Sequence, residues 1–363
     1  MKITCTKQDI VGPLSRVASV ANPKSTLPIL ANVLLRVTNQ IVCDSGQRVG
    51  GVLSMTCSDM ESELLSSAPV DGTDGAVTVP AKKLLDVIKV MPNSTPITMT
   101  VDGDKLIVKC GRSRHQLGTL PASEYPTNDA DEYTTKCTVQ ASVLRGLIER
   151  TAFAMAAQDV RFYLNGMLLE IREDGVRCVA TDGHRMAFAG ASGDLIRSVI
   201  VPRKAVLEIS RMIDSGDVEL AISGRSIRVT CGANVATCRL IEGRFPDYSS
   251  LAQPRPVVTI CDRESLINGL RSAAVLSNDK FRGIKIEMEG RAIKITSGDQ
   301  EKDSSVEIVE SEECVKLTSA YKVDYLIDAL SVLGGANVEW GDNGSSAYFT
   351  DGESTHVVMC LRL

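Results

Sequence analysis

Several residue types on which functional sites depend are scarce in this sequence. Among 363 residues there are three histidines and one tryptophan, and aromatic residues make up only 4%. The eleven cysteines stand singly, with no Cys-x-x-Cys pair, so we expect buried, reduced thiols rather than a zinc site or a disulfide framework. No run resembles a membrane span or a secretory leader. These absences predict a cytoplasmic protein without a metal or another cofactor.

Catalytic motifs are missing as well. The chain has no Gly-x-Ser-x-Gly, no Gly-x-x-x-x-Gly-Lys-Ser/Thr and no His-Glu-x-x-His. An enzyme stays open as an alternative because Asp182-Gly183-His184-Arg185 places an acid and a base beside a glycine turn. With no recognised motif around this tetrapeptide, a protein that binds rather than catalyses is the favoured interpretation.

One unit of strands and helices recurs along the chain. Alternating runs joined by a glycine turn occur at 97–110, 218–231 and 284–295, which predicts hairpins with one buried face and one wet face. Val79-Pro80 and Val201-Pro202 each open a helix-like segment, and Tyr125-Pro126 and Phe245-Pro246 recur at the same spacing of about 120 residues. The sequence therefore predicts three copies of one α+β domain, at 1–125, 126–250 and 251–363, each with antiparallel sheets and two helices.

The predicted helices are biased towards basic side chains, although the whole chain has a net charge of −5. One helix per repeat is expected at 7–20, 142–155 and 263–276, and a second begins near 79, 201 and 320. Solvated helix faces would explain this bias. The alternative is a basic surface for a polyanion that is held without sequence readout. A sequence-specific DNA-binding protein is a third possibility, but no helix has the Arg, Asn and Gln content of a recognition helix. The basic residues are Lys7, Arg16, Lys82, Lys83, Lys89, Arg145, Arg150, Arg203, Lys204, Arg211, Arg263, Arg271 and Lys322.

Six segments, spread in order across the whole chain, carry a family resemblance. They are Ser25–Asn32, Met155–Leu168, Val179–Arg185, Glu242–Tyr248, Ser277–Gly283 and Val357–Leu363. Each is similar to the corresponding segment of the bacterial DNA polymerase III beta subunits, at the spacing of that family. The threefold repeat, found independently of these segments, agrees with the three-domain subunit of the family.

The resemblance implies a sliding clamp, which is a processivity factor rather than an enzyme. It implies a head-to-tail homodimer that closes into a ring of six domains, with twelve helices lining the hole. Twelve helices, each about 10 Å wide, make a circle of about 38 Å through their axes and leave about 28 Å of free diameter, more than a DNA duplex of roughly 20 Å needs. The implied partners are double-stranded DNA without sequence preference, a second copy of the chain, the polymerase III alpha subunit, the clamp loader, and other polymerases and repair proteins with clamp-binding peptides.

The resemblance also implies two binding sites, carried over position by position. Lys24 and Lys82 stand where the family often has arginine, which keeps the charge but loses the bidentate fork for phosphate. Flexible methionines and an apolar floor suit the capture of short peptides. The implied DNA contacts are Lys24, Lys82, Gln158, Phe162, Tyr163, Arg203 and Lys204. The implied partner-peptide cleft comprises Leu164, Thr181, Gly183, His184, Arg185, Met186, Pro246, Leu251, Ser346, Val357 and Met359, with the C-terminal tail.

The dimer interface implied by the resemblance joins the first repeat of one copy to the last repeat of the other. A basic edge around Lys105–Leu117 would meet an acidic run that includes Asp299 and Glu307. His115 stands where phenylalanine is common, so an acid-sensitive contact is expected there. The implied interface residues are Lys83, Arg112, Arg114, His115, Leu117, Val275, Leu276, Glu301 and Asp303.

Overall fold

The computed structural model describes residues 1–38, 51–127, 131–253, 255–277, 282–298, 303–342 and 345–362. The helices in these ranges confirm the predicted helical segments, except that the last helix begins later than Ala320 because Ala320 still belongs to a strand. The helices are α1 (Lys7–Ala18), α2 (Ala81–Lys89), α3 (Ala141–Thr151), α4 (Arg203–Met212), α5 (Arg263–Val275) and α6 (Val323–Ser331). Short 3-10 helices lie at Pro28–Ala31, Ala122–Glu124, Ala152–Ala154 and Phe162–Leu164.

The strands of the described part form three sets, one in each predicted repeat, and each set begins with a strand that precedes the first helix of the repeat. The first set is β1 (Lys2–Cys5), β2 (Asn32–Thr38), β3 (Gly51–Ser58), β4 (Ser62–Thr73), β5 (Gly75–Pro80), β6 (Ile97–Asp102), β7 (Lys105–Cys110) and β8 (Ser113–Gly118). The second is β9 (Thr135–Gln140), β10 (Gly166–Arg172), β11 (Gly175–Thr181), β12 (Arg185–Gly190), β13 (Leu195–Pro202), β14 (Asp217–Ile222), β15 (Ser226–Cys231) and β16 (Asn234–Arg239). The third is β17 (Val257–Asp262), β18 (Gly283–Gly298), β19 (Ser304–Lys322), β20 (Asn337–Asp342), β21 (Ser346–Thr350) and β22 (Ser354–Met359).

The spacing of apolar residues explains how each helix covers a sheet. In α2, Ala81, Leu84, Leu85 and Ile88 are buried, which is the i, i+3, i+4, i+7 pattern of a helix with one apolar face. Lys82, on the other face, is exposed. The basic residues noted in the sequence therefore include side chains that point to solvent.

The chain divides into two compact units, one formed by Met1–Ser142 with Glu208–Leu240 and one by Val143–Leu207 with Ile241–Leu363. In the first unit the strands follow the order β8-β7-β6-β1-β4-β16-β15-β14-β9, and β3 joins β4 while β2 joins β3 and β5. The predicted hairpins at 97–110 and 218–231 are confirmed, because β6 pairs with β7 and β14 pairs with β15.

The second unit contains a ten-stranded sheet in the order β13-β10-β11-β12-β22-β21-β20-β17-β19-β18. The hairpin predicted at 284–295 is wrong, because these residues lie in one long strand, β18, which pairs with β19 on both sides of Gly290 with a shift in register there. Gly283–Met288 of β18 pairs with Leu317–Lys322 of β19, and the other half of β18 pairs with the first half of β19. Gly290, between the halves, has a φ of +63°, which only glycine adopts easily.

These two units differ from the three repeats because neighbouring repeats share sheets. β16, from the middle repeat, pairs with β4 of the first, and β22, from the last repeat, pairs with β12 of the middle one. Backbone hydrogen bonds across such a junction make it as compact as the interior of a repeat. Seven of the described cysteines are buried, as expected for small apolar side chains.

Candidate functional site

An apolar cluster within the second unit underlies the predicted cleft. Met186 of β12 lies opposite Val357 of β22, and Val357 lies opposite Tyr348 of β21, so strands from the middle and last repeats place side chains on one face. Phe245 and Tyr248 pack on this face from the segment after β16, and Leu251 is partly buried against it. Met186, Leu251 and Val357 of this cluster were predicted as cleft residues from the sequence, whereas Tyr348 and Tyr248 were not.

A turn beside this cluster is held by hydrogen bonds to its own side chains. The Asp182 carboxylate accepts hydrogen bonds from the backbone N–H groups of His184 (2.9 Å) and Arg185 (3.0 Å). The Thr181 hydroxyl donates to the Arg185 carbonyl and accepts from the Gly183 N–H. Gly183 has a φ of +87°, so the turn requires glycine there. The Asp182 carboxylate therefore maintains the turn, and it does not form an acid–base pair with His184.

The C-terminal segment lies directly against this turn. The Met359 N–H donates to the His184 carbonyl at 2.9 Å, and Met359 lies opposite Ser346 in the β21–β22 pair. The Met359 side chain is half exposed, whereas Val357 is buried. Met359 and His184, which are both accessible, form the rim of the predicted cleft, and Pro246 is exposed next to the buried Phe245. Leu164 is buried in the 3-10 helix Phe162–Leu164, outside the apolar cluster as described. Leu363 lies outside the described residues.

The loop before β10 carries three of the predicted DNA contacts in an ordered frame. Asn165 accepts from the Asp159 N–H and donates to the Asp159 carbonyl, both at 2.8 Å. Arg161 binds the Asp159 carboxylate and holds its pKa at about 2. Gln158 has a φ of +59°, an uncommon conformation for a residue with a side chain. Exposed in this loop are Gln158 and Phe162, whose ring meets Tyr163 edge to face at 5.8 Å.

The four predicted basic contacts differ in how far their side chains are exposed. Lys24 and Lys82 are exposed in the first unit, and Lys204 is exposed in the second. Arg203 is half-buried, and its guanidinium donates to the Met155 carbonyl at 2.7 Å. Arg203 therefore also has a structural role that the sequence did not reveal.

Two sheet ends carry the residues of the predicted dimer interface. β8 is the end strand of the first unit's sheet and contains the exposed Arg114, the partly buried His115 and the buried Leu117; the exposed Arg112 directly precedes it. Lys83 is exposed on α2. In the second unit, Val275 (79% exposed) and Leu276 end α5, and Asp303 is exposed before β19. Asp299 and Glu301 lie outside the described residues.

The same region contains exposed apolar side chains that the sequence analysis missed. Val306 and Ile308 alternate with Glu307 along β19 and are 54% and 69% exposed. The signal was present as an apolar–acidic alternation, but the sequence did not reveal that both apolar residues face outwards.

Comparison with known proteins identifies the family. Models of the DNA polymerase III beta subunit match residues 1–129 (N-terminal domain), 138–247 (central domain) and 253–358 (C-terminal domain). The chain belongs to the DNA polymerase III beta subunit family. It is 38% identical to the beta sliding clamp of Pseudomonas putida and 36% identical to that of Escherichia coli K12, covering all of each chain. A crystal structure of the Pseudomonas aeruginosa DnaN sliding clamp bound to griselimycin matches with a TM-score of 0.92 at 38% identity, over the full length of both chains.

Membership of the beta subunit family confirms several expectations. The three clamp domains of mixed strands and helices are confirmed, as is the sliding-clamp function, and the family is a non-catalytic subunit of a polymerase. An enzyme and a sequence-specific DNA-binding protein are therefore no longer viable alternatives. None of the helices in the described ranges has the length and apolar content that a membrane span requires.

Proposed function

We propose that two copies of this chain close head to tail into a ring around duplex DNA and tether polymerases through the cleft in the second unit. The observation that supports ring closure is the repeated strand junction. The proposed domains are 1–125, 126–250 and 251–363, and the proposed location is the cytoplasm at the nucleoid, as expected for a replication clamp.

Two junctions within the chain follow one rule. The last strand of a repeat pairs with the fourth strand of the repeat before it, as β16 does with β4 and β22 with β12. β8 is the last strand of the first repeat and ends its sheet. The equivalent of β4 and β12 in the last repeat is Ser304–Glu310 of β19, which pairs with β18. Joining β8 to this stretch in a second copy would make a third junction of the same kind and close the ring.

Charge and apolar surface support this pairing. Arg112 and Arg114 would meet an edge that bears Asp303 and Glu307, and Val306 and Ile308 would become buried. Opposite charges around an apolar centre give a specific contact that a loader can still open.

We propose that Lys24, Lys82, Gln158, Phe162, Tyr163, Arg203 and Lys204 lie along the DNA path. Exposed lysines neutralise phosphates without reading bases, which suits a ring that slides. We propose that Leu164, Thr181, Gly183, His184, Arg185, Met186, Pro246, Leu251, Ser346, Val357 and Met359 form the partner-peptide cleft. Griselimycin, which is bound in the solved Pseudomonas aeruginosa clamp, is proposed to bind this chain as well.

Topological retention tests the ring. The chain is loaded by its clamp loader onto closed circular DNA, washed at high salt, and the circle is then cut with a restriction enzyme. A ring stays on the circle at high salt and leaves when the circle is linearised. Dissociation from the intact circle at high salt would contradict encirclement, because only contacts that salt screens would then hold the protein.

A triple variant tests the DNA path. Replacing Lys24, Lys82 and Lys204 by alanine should weaken loading and reduce the slope of log affinity against log salt by about 2 to 3, since each lost phosphate contact removes about 0.9. Arg203 is left in place because it supports the Met155 carbonyl. The control replaces Lys136, Lys294 and Lys316, three exposed lysines on strands, and removes the same charge. Equal slopes in the two variants would place the DNA elsewhere.

A further inference from the structure

One guanidinium in the second unit joins three separate segments of the chain. Arg185 Nε donates to Asp182 of the turn at 3.1 Å, Nη1 donates to Asp328 of α6 at 2.6 Å, and Nη2 donates to the Phe153 carbonyl at 2.9 Å. The Arg185 side chain is only 12% exposed. Each guanidinium nitrogen thus donates to its own protein acceptor, which fixes the orientation of the side chain, while Nη1 and Nη2 each keep a second N–H.

Helix α6 adds a second hold on the same guanidinium. The Arg185 guanidinium carbon lies 4.5 Å from the centroid of the Tyr325 ring, and the His184 ring stacks near Tyr325 with centroids 6.3 Å apart. Tyr325 and Asp328 are three residues apart on α6, so they share one face of that helix. A cation that is both ion-paired and placed over an aromatic ring has little freedom to rotate.

The contacts form a chain that leads from α6 to the rim of the cleft. Asp328 forms an ion pair with Arg185, and Arg185 forms a second ion pair with the Asp182 carboxylate. The Asp182 carboxylate accepts hydrogen bonds from the backbone N–H groups of His184 and Arg185. The His184 carbonyl in turn accepts a hydrogen bond from the Met359 N–H. The positions of His184 and Met359 therefore depend on a carboxylate that lies outside the predicted cleft.

We propose that Asp328 is a positioning residue of the partner-peptide cleft. It acts through Arg185, whose guanidinium it orients, and it fixes the turn at 182–185 in the shape that receives a peptide. This inference rests on the proposed function of the cleft. It also gives Arg185 a supporting role, because each of its three guanidinium nitrogens donates to an acceptor on a different segment of the chain. A preformed turn lowers the ordering cost of binding.

Paired variants on one helix test the proposal. Asp328→Ala should weaken the binding of a fluorescein-labelled clamp-binding peptide from the cognate polymerase III alpha subunit by about fivefold, mainly through slower association, because the turn must then order on binding. The control is Asp324→Ala, which makes the same substitution on α6 and breaks a comparable ion pair, Arg282–Asp324 at 2.9 Å. The control should leave peptide affinity unchanged. Dimer mass and thermal midpoint are measured for both.

A double-mutant cycle separates positioning from general stability. Arg185→Lys keeps the charge and loses the fork, so the effect of Asp328→Ala on affinity should be absent in that background. An equal effect in both backgrounds, or a lowered thermal midpoint with unchanged affinity, would overturn the proposal. If the parent protein itself fails to bind the peptide, the proposed cleft is wrong. If the parent binds and Asp328→Ala binds equally well, only the role of Asp328 is wrong.

Discussion

At the scale of single residues, His356 links the stability of the protein to pH. The ring is fully buried, its Nδ1 lies 2.8 Å from the Ala329 carbonyl, and Phe153 packs edge to face against it at 5.1 Å. Burial is the main reason that its pKa falls to about 4. The unfolded chain, with an ordinary pKa near 6.5, therefore binds a proton at mildly acidic pH that the folded chain does not.

That linkage predicts a loss of stability as the pH falls below about 6.5. The His356 contribution should be complete at pH 7.5, smaller by roughly 2 kcal/mol at pH 5, and fully lost only below about pH 4. His356→Gln cannot titrate, so its thermal midpoint should fall less than that of the parent between pH 7.5 and pH 5. Parallel pH profiles for parent and variant would contradict the assignment.

Met186 is the residue at which packing and binding meet. It is buried in the apolar cluster opposite Val357, so Met186→Ala should weaken a bound peptide by about 1–2 kcal/mol, the usual scale for losing an apolar anchor. Stability should fall too, by roughly 2–4 kcal/mol for a buried methionine. Met288→Ala is the matched control, because Met288 is equally buried but in a different cluster. Met288→Ala should lower the stability of the protein without changing its affinity for the peptide. A similar loss of peptide affinity in both variants would remove Met186 from the proposed site.

At the scale of elements, the end of β22 contributes both to the buried core and to the rim of the proposed cleft. Val357 and Val358 are buried, whereas the residues beyond them are held by backbone hydrogen bonds, from Cys360 to Ser345 and from Leu361 to Ala320. Val357 and Met359 are two residues apart and share one face of the strand, so this face changes from buried to half exposed within two residues.

Deleting the last five residues should abolish partner binding without dissociating the dimer. Val357 stays in the sheet, so folding persists, but Met359 and its hydrogen bond to His184 are lost. We expect peptide affinity to fall by at least about tenfold, consistent with losing a rim anchor and its backbone contact. Deleting only Arg362 and Leu363 separates the contribution of Met359 from that of the last two residues. Peptide binding is measured by fluorescence anisotropy. Normal binding by the chain that lacks the last five residues would exclude the tail from the cleft.

At the scale of the whole molecule, Leu276→Asp should give folded monomers. Leu276 is 42% exposed in the isolated chain, so an aspartate there can remain hydrated. In the proposed dimer the carboxylate would be buried without a partner, which is costly. Light scattering should give a mass of 39.0 kDa rather than twice that value, with an unchanged circular dichroism spectrum. Val315→Asp, at another exposed apolar position, should stay dimeric. A dimeric Leu276→Asp protein would place the interface elsewhere.

The sequence by itself determined the repeated architecture. Alternating apolar residues and turn glycines specify β6–β7 and β14–β15, and the i, i+3, i+4 spacing in α2 specifies its buried face, because these signals are local. The family motifs then indicated which positions form the cleft. Met186, Leu251 and Val357 do share one cluster.

Only the tertiary structure decided which repeats share sheets and which side chains are already occupied. The β4–β16 and β12–β22 junctions depend on strands far apart in the chain, and no local pattern encodes their pairing. The hydrogen bonds of Arg203 to Met155 and of Arg185 to Asp328 likewise join residues far apart in the chain. A residue type shows what a side chain can bind, but its partner is set by long-range packing. The sequence therefore predicted where the cleft lies, and only the fold revealed the hydrogen bonds and ion pairs around the predicted residues.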